Sequence, residues 1–220
     1  MVLGHFGVGL GAKKFAPKLS LGLLFLAAQW VDLLWPTLLL LNVEHVDINK
    51  TDPHFPLDFT SYPITHSLLM GIVWGACFGL IYFLIKKDRR SALTLALCVP
   101  SHWLLDLIVH KPDLPLFPGG DSPRLGLGLW NSPLLTAIVE GAIFLIGLIL
   151  YLRSTRPKTI KGQWGLYLLV FLLVANQVAG ALSPLPPSAH AIGWAAQYQW
   201  IFIILGFWVD KHRSPISEQR

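Results

Sequence analysis

Six apolar stretches of about twenty residues divide this chain, at 20–42, 66–85, 91–110, 132–152, 164–182 and 191–209. At about 1.5 Å of rise per residue, each is long enough as a helix for the ~30 Å hydrocarbon core of a bilayer. Lipid offers no hydrogen bonds, so a spanning segment must satisfy its own backbone, and runs of this length do so as helices. Only 13% of the residues are charged, against about a quarter in an ordinary soluble domain. The sequence therefore predicts an all-α, polytopic transmembrane helical bundle of about six spans plus a short N-terminal membrane-associated helix. It reads as one domain over residues 1–210, with a polar, frayed cytoplasmic tail at 211–220.

Charge supports this division. Of the 17 Lys and Arg residues, 14 fall in alternate segments: before residue 20, at 86–90, at 153–163 and after residue 210. The other connections hold only Lys50, Lys111 and Arg124. By the positive-inside rule both termini are cytoplasmic, and 43–65 and 111–131 face outward. The net charge of +5 is thus a topology signal and implies no nucleic acid; the partner is the lipid bilayer. Residues 1–12 lack a basic region ahead of an apolar core, so no cleavable signal is expected. Cys77 and Cys98 lie within spans, have no metal-type spacing and read as packing residues.

Several ionisable groups fall inside the spans, where they are costly and by default functional. In span three, His102 and Asp106 are i,i+4 neighbours on one helix face, and His110 is one further step along nearly the same stripe. Imidazole and carboxylate one turn apart can share a metal ion, or one can orient the other. His102 lies roughly 16 Å along its span, and Asp106 about 6 Å further outward. Asp32 lies roughly 18 Å into span one. Glu140 lies about 12 Å below Ser132. Asn176, Gln177 and Gln197 reach the same slab, where amides also serve to bond helices together.

His5 precedes the first basic residues by about 12 Å of helix. Residues 2–12 are too short to span. They form either a re-entrant helix packed in protein or an amphipathic stretch at the interface. His66 opens span two between Thr65 and Ser67, a turn or two outward of the other groups, a mismatch that helix tilt would absorb. It either caps the helix or has its second ring nitrogen held by a hydroxyl for metal binding. The long outward loops add Glu44, His45, Asp47, Asp52, His54, Asp58, Asp113 and Asp121 as secondary candidates at a site mouth.

An early His5, Asp32 in the first span, Thr65-His66-Ser67 opening a span, and His102-x-Leu-Leu-Asp106 together resemble the membrane-bound metal-dependent hydrolase-like family. These are mostly uncharacterised bacterial inner-membrane proteins, distantly similar to the zinc phospholipases C. The resemblance covers roughly residues 1–115. The chain departs from it at Gln29-Trp30-Val31-Asp32, where many members have Pro-Asp-x-Asp, and at Tyr62-Pro63, where many have His-Arg. The resemblance implies a bacterial inner-membrane enzyme acting on a phosphoester or lipid-like substrate in the outer half of the membrane. His5, Asp32, His66, His102 and Asp106 would bind one or two divalent ions.

Such an ion lowers the pKa of bound water and polarises the ester oxygen. Nitrogen and carboxylate donors without thiolate suit zinc, with manganese or iron also compatible. A spare carboxylate, Glu140 or Asp58, is the candidate general base. Two non-enzymatic alternatives stand beside this: a proton or metal-ion transporter, and a structural or assembly protein whose polar cluster bonds its helices. A transporter is expected to carry a pair of broken helices in corresponding halves, which the sequence does not display.

Overall fold

The computed structural model describes residues 1–49, 56–184 and 186–216. Lys50, Asp52 and His54 of the preceding section, and the last four residues of the tail, lie outside them. The fold is the expected all-α bundle. Five helices are long and apolar enough to cross a membrane: α5 (Leu68–Lys86), α6 (Arg89–Val109), α7 (Pro133–Ser154), α8 (Ile160–Leu182) and the continuous stretch 189–211. A sixth crossing is available if α2 (Leu21–Ala28) and α3 (Trp30–Leu40) count as one span, but the two halves meet at 56°. The 189–211 stretch is itself α9 (Ala189–Ala196), a 3-10 turn over Gln197–Gln199, and α10 (Trp200–Lys211).

Leu, Ile, Phe and Val side chains of α5, α7 and α8 point outward; Leu80, Ile146 and Phe171 are typical. That is the pattern of helices solvated by lipid. Cys77 lies on this outer side of α5, so of the two cysteines only Cys98 is a buried packing residue.

The centre of the bundle is instead α1 (Val2–Ala12), of which nine residues are buried. At about 16 Å it is half a bilayer long. It lies against α2, α6 and α7, so the packed, re-entrant alternative describes it and the interfacial one does not. Its seat on α7 depends on missing side chains. A Cβ on Gly7 would come within 2.7 Å of the Phe144 Cα, and one on Gly147 would strike the Gly7 backbone. Met1 is 5% exposed and lies inside the bundle.

The α5–α6 hairpin uses the same device. Pro100 removes the helical donor from the Ala96 carbonyl, and Gly75 lets α5 close against that oxygen. Lys87 ends α5 in the left-handed region at φ 55°, and the Asp88 carboxylate accepts from the Arg90 and Ser91 amides to start α6.

Short hairpins close the two ends. At one end, β1 (His45–Ile48) pairs with β2 (Leu57–Ser61), and β3 (Leu114–Pro115) with β4 (Arg124–Leu125). At the other end β5 (Thr155–Pro157) pairs with β6 (Arg213–Pro215). The tail is therefore not frayed through residue 216. Arg213 is buried, donating to Thr155 Oγ1 at 3.1 Å and to the Gly162 carbonyl at 3.2 Å.

Candidate functional site

The break in the first span creates the site. Where α2 stops, its last carbonyls lose their helical donors. The Ala28 oxygen instead lies 2.9 Å from His102 Nδ1. That contact requires the proton on Nδ1 and leaves the Nε2 lone pair facing inward. On the other side of the break α3 begins, and Asp32 lies in its first turn, where the helix dipole favours a carboxylate. Gln29, fully buried at the corner, donates to the Val2 carbonyl at 3.3 Å and ties the break to α1.

His66 reaches the same point by a second break. Ser67 adopts an extended backbone (φ −82°, ψ 145°) between α4 (Pro63–His66) and α5. His66 therefore sits on a separate turn folded over the site, and this break, not tilt, accounts for its apparent depth mismatch. The neighbouring hydroxyls divide the two roles between them. Ser67 caps α5 by accepting from the Met70 amide at 3.3 Å. Thr65 Oγ1 lies 2.7 Å from His66 Nδ1 and donates to Glu44 Oε2 at 2.6 Å. Its proton committed to Glu44, the hydroxyl accepts from Nδ1–H, and His66 Nε2 too is left unprotonated.

The five predicted metal-ligating residues come together. Asp106 Oδ1 lies 3.1 Å from His5 Nε2 and 2.9 Å from the Met1 amine. Its Oδ2 lies 3.2 Å from His102 Nε2 and 3.9 Å from His66 Nε2. Asp32 Oδ1 lies 3.3 Å from His66 Nε2 and 3.5 Å from His102 Nε2. The His5 and His102 rings stack at 3.5 Å. Two overlapping triads, His5–Asp32–His102 and His66–His102–Asp106, each keep one donor atom per residue within 4.8 Å of the others. Ligands of one ion at ~2.0–2.2 Å lie at most about 4 Å apart, so small side-chain adjustments suffice. His102 Nε2 and His5 Nδ1 are buried without a hydrogen bond, an arrangement native proteins rarely leave standing.

The two proposed general bases are placed elsewhere. Glu140 Oε2 accepts from the Leu3 amide at 3.1 Å. A carboxylate there compensates the exposed amides and positive dipole of the α1 N-terminus. Asp58 is on β2, ion-paired with Lys111 and accepting from Asn49 at 3.0 Å. Neither is brought to the five-residue cluster.

His110, Asp113 and Tyr62 line the side of the cluster nearest the β1–β2 and β3–β4 hairpins. His110 Nδ1 lies 2.8 Å from Asp113 Oδ1, while its Nε2 points at Asp106 Oδ2 from 3.9 Å. Tyr62 donates to the same Asp113 oxygen at 3.0 Å. Burial and that carboxylate push the Tyr62 phenol well above its ordinary range, so it remains a donor. Trp130 covers the His110 ring at 4.1 Å. The i+4 stripe pointed to His110; Asp113, three residues on, was its readable partner. Glu44, one of the loop candidates for a site mouth, is instead fully buried beneath Thr65, and no spacing in the sequence marked that pairing. Compared with known protein families, curated proteins and solved structures, the chain has no match.

Proposed function

We propose that this chain is an integral-membrane, metal-dependent hydrolase of phosphoester or lipid-like substrates. The carrying observation is the convergence of His5, Asp32, His66, His102 and Asp106, from four separate helices, on one buried point. The donor set fits a divalent ion of the zinc type, with manganese and iron also compatible. With His102 Nδ1 turned to the Ala28 carbonyl, Nε2 is the nitrogen it can offer to either triad, and one imidazole nitrogen binds one metal. The triads are thus alternative descriptions of a single ion's surroundings. When bound, such an ion supplies an activated water and polarises the ester oxygen. The chain's own contribution is orientation: Ala28 and Thr65 set the tautomers of His102 and His66, and the outward hairpins restrict water. Asp32, with a side chain 16% exposed against 5% or less for the other four, is the member a substrate meets first.

The resemblance in residues 1–115 supports the hydrolytic class and a bacterial inner membrane. The basic end of the bundle, with Lys87, Lys158 and Lys211, then faces the cytoplasm.

A second reading rests on a specific observation. The broken α2–α3 span packs along the sixth crossing, α2 against α10 and α3 against α9, and that crossing has a 3-10 turn at its middle. Interrupted helices beside ionisable groups also suit an ion transporter. Metal analysis of the detergent-purified protein, wild type beside His102→Ala, tests the centre. The proposal expects one divalent ion per chain, lost in the variant; metal-free wild type overturns it. Release of phosphate from phospholipid, against zinc flux into proteoliposomes, separates the two readings.

A further inference from the structure

A groove of about 700 Å³ opens toward lipid between α1, α6 and α7. The glycines that seat α1 on α7, Gly11 and Gly147, form its floor, and Leu97 and Ile146 its walls. Leu97 and Ile146 are each 60% exposed, so the groove faces the bilayer. Along α6 it runs from Arg90 to Ser101, or about 16 Å. That matches half of the ~30 Å hydrocarbon core, the depth of one leaflet.

Its two ends differ in charge. Arg90 stands at the basic end of the bundle, beside Lys86, Lys87 and Arg89. The one acid in that turn, Asp88, is engaged by Ser91 Oγ at 2.8 Å and by the two amides of the α6 cap. The other end is neutral, closed by Ser101 and Cys98. A cation at the interface and an apolar channel one leaflet deep complement a lipid with an anionic head and an extended chain.

We propose that this groove binds one acyl chain of an anionic phospholipid from the leaflet on the basic face, with the lipid phosphate at Arg90. This lipid is not a substrate of the His102 centre, because its phosphate would sit about 16 Å of helix away from Ser101. It is a resident partner filling the open flank of α1, and it binds whether or not the chain is an enzyme.

Native mass spectrometry tests this on the full-length protein in mild detergent, with equal phosphatidylglycerol and phosphatidylcholine added. Wild type is expected to retain phosphatidylglycerol about fivefold more than phosphatidylcholine, the effect of one basic residue near an anionic surface. Arg90→Gln should bring the ratio close to one, while Leu97→Trp, filling the channel, should lower retention of both lipids. An unchanged helical circular-dichroism spectrum controls for folding, and Arg90→Gln, at an exposed position, keeps the test open if the tryptophan variant misfolds. Equal retention of both lipids by wild type, or an Arg90→Gln variant that keeps the preference, overturns the proposal.

Discussion

Replacing Asp106 with asparagine separates a metal centre from a purely structural cluster. Asp106 is 1% exposed, and its two oxygens contact the Met1 amine, His5 and His102 within 3.2 Å. The amide keeps the shape but presents an NH2 where an acceptor stood. Removing one partner of a buried charge cluster costs about 3–5 kcal/mol on either reading, so a lower melting temperature alone decides nothing. The response to metal does. Binding free energies of about 10–16 kcal/mol for four-ligand zinc sites correspond to about 2.5–4 kcal/mol per ligand, or roughly 100- to 1,000-fold in affinity. At a zinc concentration ~1,000 times the wild-type Kd, wild type gains about 4.1 kcal/mol and the variant about 0.4–1.4 kcal/mol. For a chain of this size these gains correspond to roughly 8–16 °C and 1–6 °C in Tm. The assay is thermal unfolding in detergent with zinc or a chelator. A wild type indifferent to both, or an Asp106→Asn variant with the full zinc response, refutes the metal centre and leaves a cluster that only bonds helices.

The zinc-dependent part of Tm should shrink on acidification, because imidazole binds a metal only through an unprotonated nitrogen and protons compete for it; a zinc increment constant from pH 8 to 5 would contradict histidine ligation. Thr65→Val, which removes the partner of His66 Nδ1, should weaken metal binding by about 10- to 100-fold, with Thr65→Ser close to wild type; equal affinities measured by competition with a chromogenic chelator would refute that tautomer-setting role. Gly147→Ala should lower Tm through overpacking of about 1–3 kcal/mol, because its methyl would strike the Gly7 backbone, and should cost metal through displaced His5; unchanged Tm and metal content would mean α1 is not seated as described. Cysteines at positions 87 and 158 should be labelled from the face opposite to one at 111; labelling of all three from one side would overturn the topology.

The parts of the site legible in the sequence were those carried by a single regular helix. His102 and Asp106 share a helix face because 3.6-residue periodicity puts them there, and counting rise put Asp32 level with His102, whose Nε2 it meets at 3.5 Å. The breaks were not legible. Gln29 is no helix breaker by residue type, and its immediate neighbours, Ala27-Ala28 and Trp30-Val31, are apolar, so 20–42 reads as one span. Its corner is imposed by tertiary contacts: the buried amide on Val2 and the His102 ring on Ala28. Ser67 gave the same false continuity to span two. Depth also could not distinguish roles. Counted rise puts Glu140 in the slab, yet it serves the α1 N-terminus, and Gln197 donates to Thr37 at 3.1 Å, an ordinary bond between helices. The transporter-like interruptions were missed because both are conformational, with no proline or glycine at either corner.

The enclosed position of α1 has a consequence for biogenesis. Its eleven residues are translated before every helix that surrounds them, and the last of these partners, α10, whose Phe202 meets Phe6, ends at Lys211. At about 5–20 residues per second, α1 waits roughly 10–40 s for the groove it will occupy to exist. It cannot span in the meantime, so it must wait at the membrane surface or in the insertion machinery and enter late. His5 would then be the last of the five ligands to arrive, and the site would be completed only once the bundle has formed around it.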